Sequence, residues 1–235
     1  MKLECMDERR DGERGREYAY RVLRHNIVTM CLPPDTVLNE SELIECLEMS
    51  RTPIREALIL LKDEGLVDIM PQRGSKVSRI SLSSVREGYF MRLVLENVIV
   101  QELAGKLSAD CISLLKENLA NQEEVLNKCA GSISPEFFFL DDAMHMFLYK
   151  FSGRERIGDC VHKMCAHFDR VRYLDSAVSR PDQNLILEEH KKLYYYLSLG
   201  IPADVDISVF CQRHLGRWLE CAQAIISAYP DYFTD

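Results

Sequence analysis

Residues 50–65, SRTPIREALILLKDEG, constrain the fold of this chain more than any other stretch. Ile54, Ala57, Leu58 and Leu61 recur at i, i+3, i+4 and i+7, the spacing of one buried helical face. Pro53 does not contradict a helix if Ser50 is its N-cap. The proline then sits in the first turn, where the amide it lacks would have no intrahelical acceptor. Gly65 supplies the stop, as a glycine just past a helix C-terminus does. Arg51, Thr52 and Arg55 fall off the apolar stripe, near the N-terminal end. The spacing therefore predicts a short docked helix that shows solvent a face carrying two arginines.

What flanks this helix narrows the fold further. Apolar positions Ala19, Val22, Leu23, Ile27 and Met30 predict an amphipathic helix over residues 15–30. LPPD (32–35) breaks it. Asn39, with Glu42 three residues on, has the form of a capping box and starts a short helix through SELIECLE. After Gly65, LVDIM (66–70) and KVSRI (76–80) read as two strands joined by the turn PQRGS. Helix, helix, turn, helix and hairpin is the order of a winged helix-turn-helix, in which the second helix of the motif presents its N-terminal end to the major groove. Residues 1–13 are polar and read as a frayed end.

From SLSS (81–84) onward the pattern is helical, without strand-like alternation. Helical segments cover 82–130, a stretch opened by Ser134 and Pro135 and closed near Gly153, ERIGDCVHKMCAHFDRVRYLDSA (155–177), LILEEHKKLYYYLSLG (185–200) and 206–229, with SRPDQ (179–183) as a break. The fold class expected is mainly α. A winged helix-turn-helix over residues 1–79 leads into an all-helical bundle of six or seven helices over 80–235.

Charge excludes one mode of action. The formal net charge is −8, and residues 1–79 alone hold 13 Lys+Arg against 15 Asp+Glu. A chain so balanced does not coat nucleic acid by bulk charge, so any DNA contact must come from locally placed arginines. Nine cysteines at irregular spacing, with no CxxC pair, read as small buried hydrophobes rather than a disulfide framework. The N-terminus lacks the apolar core of a signal peptide and no apolar run is long enough to span a bilayer, so the expected compartment is the cytoplasm.

The run MSRTPIREALILLKDEGLVDIMPQRGSKVS resembles the DNA-binding domain of the GntR family of bacterial transcription regulators, closely over these thirty residues and more loosely from Tyr18. The helical half resembles the FCD-type effector domain of the FadR subfamily. The resemblance implies that Ser50, Arg51 and Arg55 contact operator DNA, with Thr52 on the same exposed turn and Arg73 and Gly74 at the wing tip. The family often carries glycine where this chain has Glu48, and some members carry an arginine where it has Ser41.

The resemblance also implies a metal site. Asp141 and His145, four apart on one helical face, with His190 and His214, match the Asp-x-x-x-His, His and His ligands of metal-binding FCD domains. One carboxylate and three imidazoles suit zinc, nickel, manganese or iron. From spacing alone Asp141 and His145 are equally a surface ion pair, Asp142 is a rival carboxylate, and His162 and His167 read as structural, His167 being a reserve ligand. Arg92 lies where the family places an arginine facing the effector pocket, which implies a small carboxylate effector; an Arg92–Glu96 surface pair is the alternative. The function expected is a homodimeric, ligand-responsive regulator that is not an enzyme. The same regulator with a structural or absent metal is one alternative. A metal-dependent hydrolase with Glu188 or Glu189 as base is another, which no HExxH or Ser-His-Asp pattern supports.

Overall fold

The computed structural model describes residue 3 and residues 8–70, 73–129, 134–178 and 183–234. The chain forms two compact units, one of residues 1–86, 163–174 and 226–235, the other of 87–162 and 175–225.

The first unit is built on α1 (Gly15–Val28), α2 (Glu40–Leu47) and α3 (Arg51–Asp63). Both α1 and α2 pack against α3. Ile54, Ala57, Leu58 and Leu61 of α3 meet Ala19, Val22, Leu23 and Ile27 of α1 in one buried cluster, which Ala166 joins from far along the chain. Leu61 is fully buried, so Leu61→Ala is expected to remove about 2–5 kcal/mol of this unit's stability, read as a shift in its urea midpoint. Asn39 caps α2, its side chain accepting from the Ser41 amide at 2.9 Å. Glu48 then takes a left-handed conformation (φ 51°), which a glycine would adopt without the steric penalty of about 1–2 kcal/mol. α3 ends in a Schellman turn: Gly65 (φ 75°) donates to Lys62 O and Leu66 to Leu61 O.

The wing is a three-stranded antiparallel sheet in the order β1 (Val37–Leu38), β3 (Gly74–Val77), β2 (Val67–Met70). Val67 faces Val77 and Met70 faces Gly74. β3 starts two residues earlier than expected and stops at Val77, because Ile80 and Ser81 form β4, paired in parallel with β5 (Phe233–Thr234). Neither β1 nor this second sheet is visible as a sequence pattern. Pro71 and Gln72 of the expected turn lie outside the described residues.

Residues 163–174 are tied into this unit by buried polar contacts. Arg24 bridges Glu64 (3.1 Å) and Asp169 (3.3 Å). Arg170, fully buried, donates to Ser78 O at 2.9 Å. The amide of Ser81 donates to His167 Nδ1 at 3.1 Å, so His167 serves the first unit and is no reserve metal ligand.

Beyond the wing the described residues hold α4 (Leu82–Leu103), α5 (Ala109–Cys129), α6 (Pro135–Phe151), α7 (Glu155–Met164), α8 (Ala166–Val178), α9 (Gln183–Leu199) and α10 (Ile207–Ala228). Ser134 caps α6, accepting from the Phe137 amide. The single helix expected over 155–177 is two, parted at Cys165. Of the expected break at 179–183, residues 179–182 lie outside the described residues. In the second unit α5 packs on α6 and α9. Cys165 and Cys211 are buried, as expected of small core side chains, whereas Cys160 is exposed.

Candidate DNA-reading surface and metal centre

Arg51, Thr52 and Arg55 are exposed on α3, opposite the buried stripe. Ser50 has the extended backbone of an N-cap, but its hydroxyl makes no capping bond, contrary to the expectation. Both arginines converge on Glu40, the first residue of α2. Arg55 Nε donates to its two carboxylate oxygens at 2.9 and 3.0 Å, and Arg51 Nε lies 3.6 Å away. Arg73 and Gly74 (φ 89°) are exposed at the tip of the wing.

In the second unit three helices bring Asp141 and His145 (α6), His190 (α9) and His214 (α10) around one point, backed by Glu96 on α4 and Gln122 on α5. The ligating nitrogens of His145, His190 and His214 lie within 4.8 Å of one another. His145 Nε2 is 3.1 Å from His214 Nε2, and His190 Nε2 is 3.3 Å from Asp141 Oδ1. Each ring is held from behind by an acceptor: His145 Nδ1 by Glu96 Oε2 at 2.6 Å, His190 Nδ1 by Gln122 Oε1 at 2.7 Å, and His214 Nδ1 by Glu189 Oε2 at 2.9 Å.

These partners set the protonation. Burial alone would raise the Glu96 carboxyl, but Arg92 and then His145 hold it at about 2. Burial likewise opposes ionisation of Glu189, which His214 and Arg217 hold at about 2. Burial also pushes the imidazoles of His145 and His214 down. Two ionised carboxylates facing Nδ1 place the proton there, so Nε2 of His145 and His214 carries a lone pair. Gln122 Nε2 donates to Asn118 Oδ1 (2.7 Å) and to Met144 Sδ (3.7 Å), which leaves Oε1 to accept from His190 and fixes the same tautomer. Three Nε2 lone pairs turned to one point, with the Asp141 carboxylate beside His190, are a donor set for a transition metal, oriented by the acceptors behind the rings. The residues present therefore fit such an ion.

Asp142, the rival carboxylate, faces His162 at 3.6 Å, outside the cluster. Arg92 is buried, its Nε 2.7 Å from Glu96 Oε1, so this pair is not the surface contact of the alternative reading. The other oxygen of Glu96 holds His145. Arg92, Glu96 and His145 thus form one chain of contacts into the cluster. Sequence reasoning missed Gln122. Its signal is the buried seam Leu115, Asn118, Leu119, Gln122 and Val125, an apolar helical period interrupted by two amides.

A winged helix-turn-helix with an arginine-bearing second helix, joined in one chain to a helical bundle with a histidine cluster, defines a class: DNA-binding regulators that carry an effector-binding domain. Comparison with known proteins agrees. Residues 16–77 match the family model of bacterial regulatory proteins of the gntR family, and residues 87–200 match the FCD domain. The chain is 31% identical over 217 residues to the HTH-type transcriptional repressor RspR of Escherichia coli strain K12, covering 92% of each. It is 30% identical to an HTH-type regulator of Streptomyces ambofaciens, over 95% of this chain and 91% of the relative. Two solved structures share the fold: a GntR regulator from Rhodococcus sp. RHA1 (TM-score 0.68, 21% identity, 91% of this chain and 98% of the other) and E. coli McbR/YncC (TM-score 0.73, 19% identity, 92% and 98%). The chain belongs to the GntR family and is a DNA-binding transcription regulator with a C-terminal FCD effector domain. Among the described residues no helix is long and apolar enough to cross a membrane.

Proposed function

We propose that the chain is a cytoplasmic, homodimeric, metal-containing regulator whose helical domain senses a small organic acid and so controls operator binding. It does no catalysis. The reading head spans residues 1–79 and the effector and dimerisation domain 80–235. Ser50, Arg51, Thr52 and Arg55 read the operator half-site, with Arg73 and Gly74 against the backbone at the wing. A second subunit repeats these contacts at a second half-site, as two-fold symmetric readers do.

The observation that carries the sensing half is the shared geometry of the histidine cluster and Arg92. Asp141, His145, His190 and His214 would hold the ion, with Glu96, Gln122 and Glu189 fixing the three rings. A divalent zinc, nickel, manganese or iron ion so held by four protein ligands offers further coordination positions to a ligand oxygen. Arg92, buried and joined to the cluster through Glu96, supplies the charge that pairs with a carboxylate in a desolvated site. A carboxylate effector changes the packing of helices that bear these side chains, which alters affinity for DNA through a coupling free energy. The test is a ligand screen on metal-loaded protein by thermal shift. Small mono- and dicarboxylates are expected to raise the melting temperature, and an Arg92→Lys variant, which keeps a cation beside Glu96 but loses the planar fork, is expected to weaken that response while keeping its metal content.

Glu40 bears on affinity in the opposite direction. It engages both reading arginines and would approach the phosphate backbone as a like charge. The exposed pair itself is worth about 0–1 kcal/mol. Glu40→Gln is expected to tighten duplex binding by up to about fivefold, measured by fluorescence anisotropy at fixed salt.

A further inference from the structure

The N-terminal arm offers a second contact with DNA that lies outside the helix-turn-helix and wing. Residues 8–17, ERRDGERGRE, hold four basic and four acidic side chains, so in sequence the arm is neutral. Folding sorts these charges. Glu13 is taken by Arg21, at 2.8 Å from Nε and 3.0 Å from Nη2, and by the Arg10 amide at 3.0 Å. The bonds to Arg21 hold its carboxyl at about 2 against burial, which raises it. Glu17 turns back to accept from the Arg14 amide at 3.0 Å, in the first turn of α1. Arg21 also donates to Glu8 O (3.1 Å), and Arg9 Nε to Glu13 O (2.6 Å). Residues 8–13, expected as a frayed end, are therefore strapped to α1; residues 1, 2 and 4–7 lie outside the described residues.

The strap delivers three arginines to one place. Arg9, Arg14 and Arg16 line an open groove of about 570 Å³ with Gly15, Glu48, Met49, Ser50, Pro53 and Glu56. Among the described residues, none of the arm's acidic side chains lines it. The groove runs along the start of α3. At roughly 3.6 residues per turn, Ser50, Pro53 and Glu56 form one flank of that helix, Arg51 and Arg55 the other, and Thr52 lies between. The approach is close: a Cβ added at Gly15 would stand 2.6 Å from Met49 Cε and 3.4 Å from Pro53 Cβ.

A helix seated in a major groove has a phosphate backbone on either side, and such backbones are held by arginine and lysine without regard to sequence. We propose that Arg9, Arg14 and Arg16 grip the sugar-phosphate backbone of double-stranded DNA alongside the half-site that α3 reads. This rests on α3 being the reading helix. It also answers the charge problem of an acidic protein, because the arm adds local positive charge where Glu40, Glu48 and Glu56 subtract it.

The test uses the full-length protein, a duplex selected by that protein from a random-sequence library, and an unrelated duplex of equal length. Affinities are measured across a salt series for wild type, Arg9→Ala/Arg14→Ala/Arg16→Ala, the triple lysine counterpart and Arg55→Ala. Melting temperature and metal content report folding of each variant. The alanine triple is expected to weaken both duplexes by the same factor. It is also expected to flatten the slope of log affinity against log salt by about 0.9 for each phosphate that the arm no longer neutralises. The lysine triple is expected to keep the wild-type slope, since a phosphate accepts any point charge in reach. An alanine triple with an unchanged slope, beside an Arg55→Ala variant without preference for the selected duplex, overturns the arm contact and leaves the α3 reading standing. Arg55→Ala retaining its preference removes α3 from the reading role, and with it the placement of the arm beside the half-site.

Discussion

Arg55→Ala is expected to weaken binding to the selected operator by roughly 30-fold to 10⁴-fold, while binding to unrelated DNA changes far less. The magnitude follows from a bidentate hydrogen bond to a base edge, worth about 1–3 kcal/mol of discrimination, removed at both half-sites of the proposed dimer. The direction follows from geometry. Arg55 is exposed one turn into α3, while the residues that dock the helix, Ile54, Ala57, Leu58 and Leu61, are buried on the opposite face. Truncating Arg55 leaves that cluster intact, so the loss is not one of folding. Its contact with Glu40 is an exposed pair, and breaking it changes stability by no more than about 1 kcal/mol. Electrophoretic mobility shift with both duplexes checks the result. Equal affinities for variant and wild type on the selected duplex would remove Arg55 from base reading. Arg51→Ala is expected to act in the same direction.

The helix-turn-helix was legible because its signals are local. Pro53, an apolar stripe at helical spacing and Gly65 all act within one helix length, and the structure reproduces the helix they define, although Ser50 begins it without the expected capping bond. The parts that escaped depend on distant partners or on no punctuation at all. Ile80 and Ser81 become a strand only because Phe233 and Thr234 lie beside them, and two residues carry no readable alternation. The split between α7 and α8 at Cys165 falls in HKMCAHF, which has neither proline nor glycine to announce it. The histidine cluster is a mixed case. Asp141 and His145 share a helical face by spacing, but only a family resemblance linked them to His190 and His214. Glu96 was visible as the i+4 partner of Arg92, yet its buried role in holding His145 depends on the fold bringing α4 and α6 together. The neutral arm shows the limit most plainly: its composition cancels, and only the Glu13–Arg21 and Glu17–Arg14 bonds separate its charges.

Metal loading is expected to raise the melting temperature of the wild-type protein by about 10 °C, and His190→Ala/His214→Ala is expected to abolish both the shift and the bound metal. At a free concentration a thousand times the dissociation constant, an ion that binds only the folded state adds about 4 kcal/mol. In a protein of this size each kcal/mol moves the midpoint by about 2–4 °C. Removing two imidazoles leaves Asp141 and His145, a pair that no longer surrounds the ion. The double variant alone does not separate ligation from packing, because His190 is fully buried and its loss opens a cavity. Gln122→Leu makes that separation. It keeps all four donors and about the same volume, and removes the acceptor that holds His190 Nδ1 together with the amide that donates to Asn118 Oδ1. The imidazole is then free to take the other tautomer or to turn its ring. Removing such a partner behind a ligand lowers metal affinity by about 10–100-fold. Competition with a chromogenic chelator is therefore expected to rank wild type above Gln122→Leu, and Gln122→Leu above the double variant. If the Gln122→Leu protein holds metal as tightly as wild type, the ring orientation described for His190 is not what prepares the site. If the double variant retains metal by elemental analysis, the ion is held elsewhere.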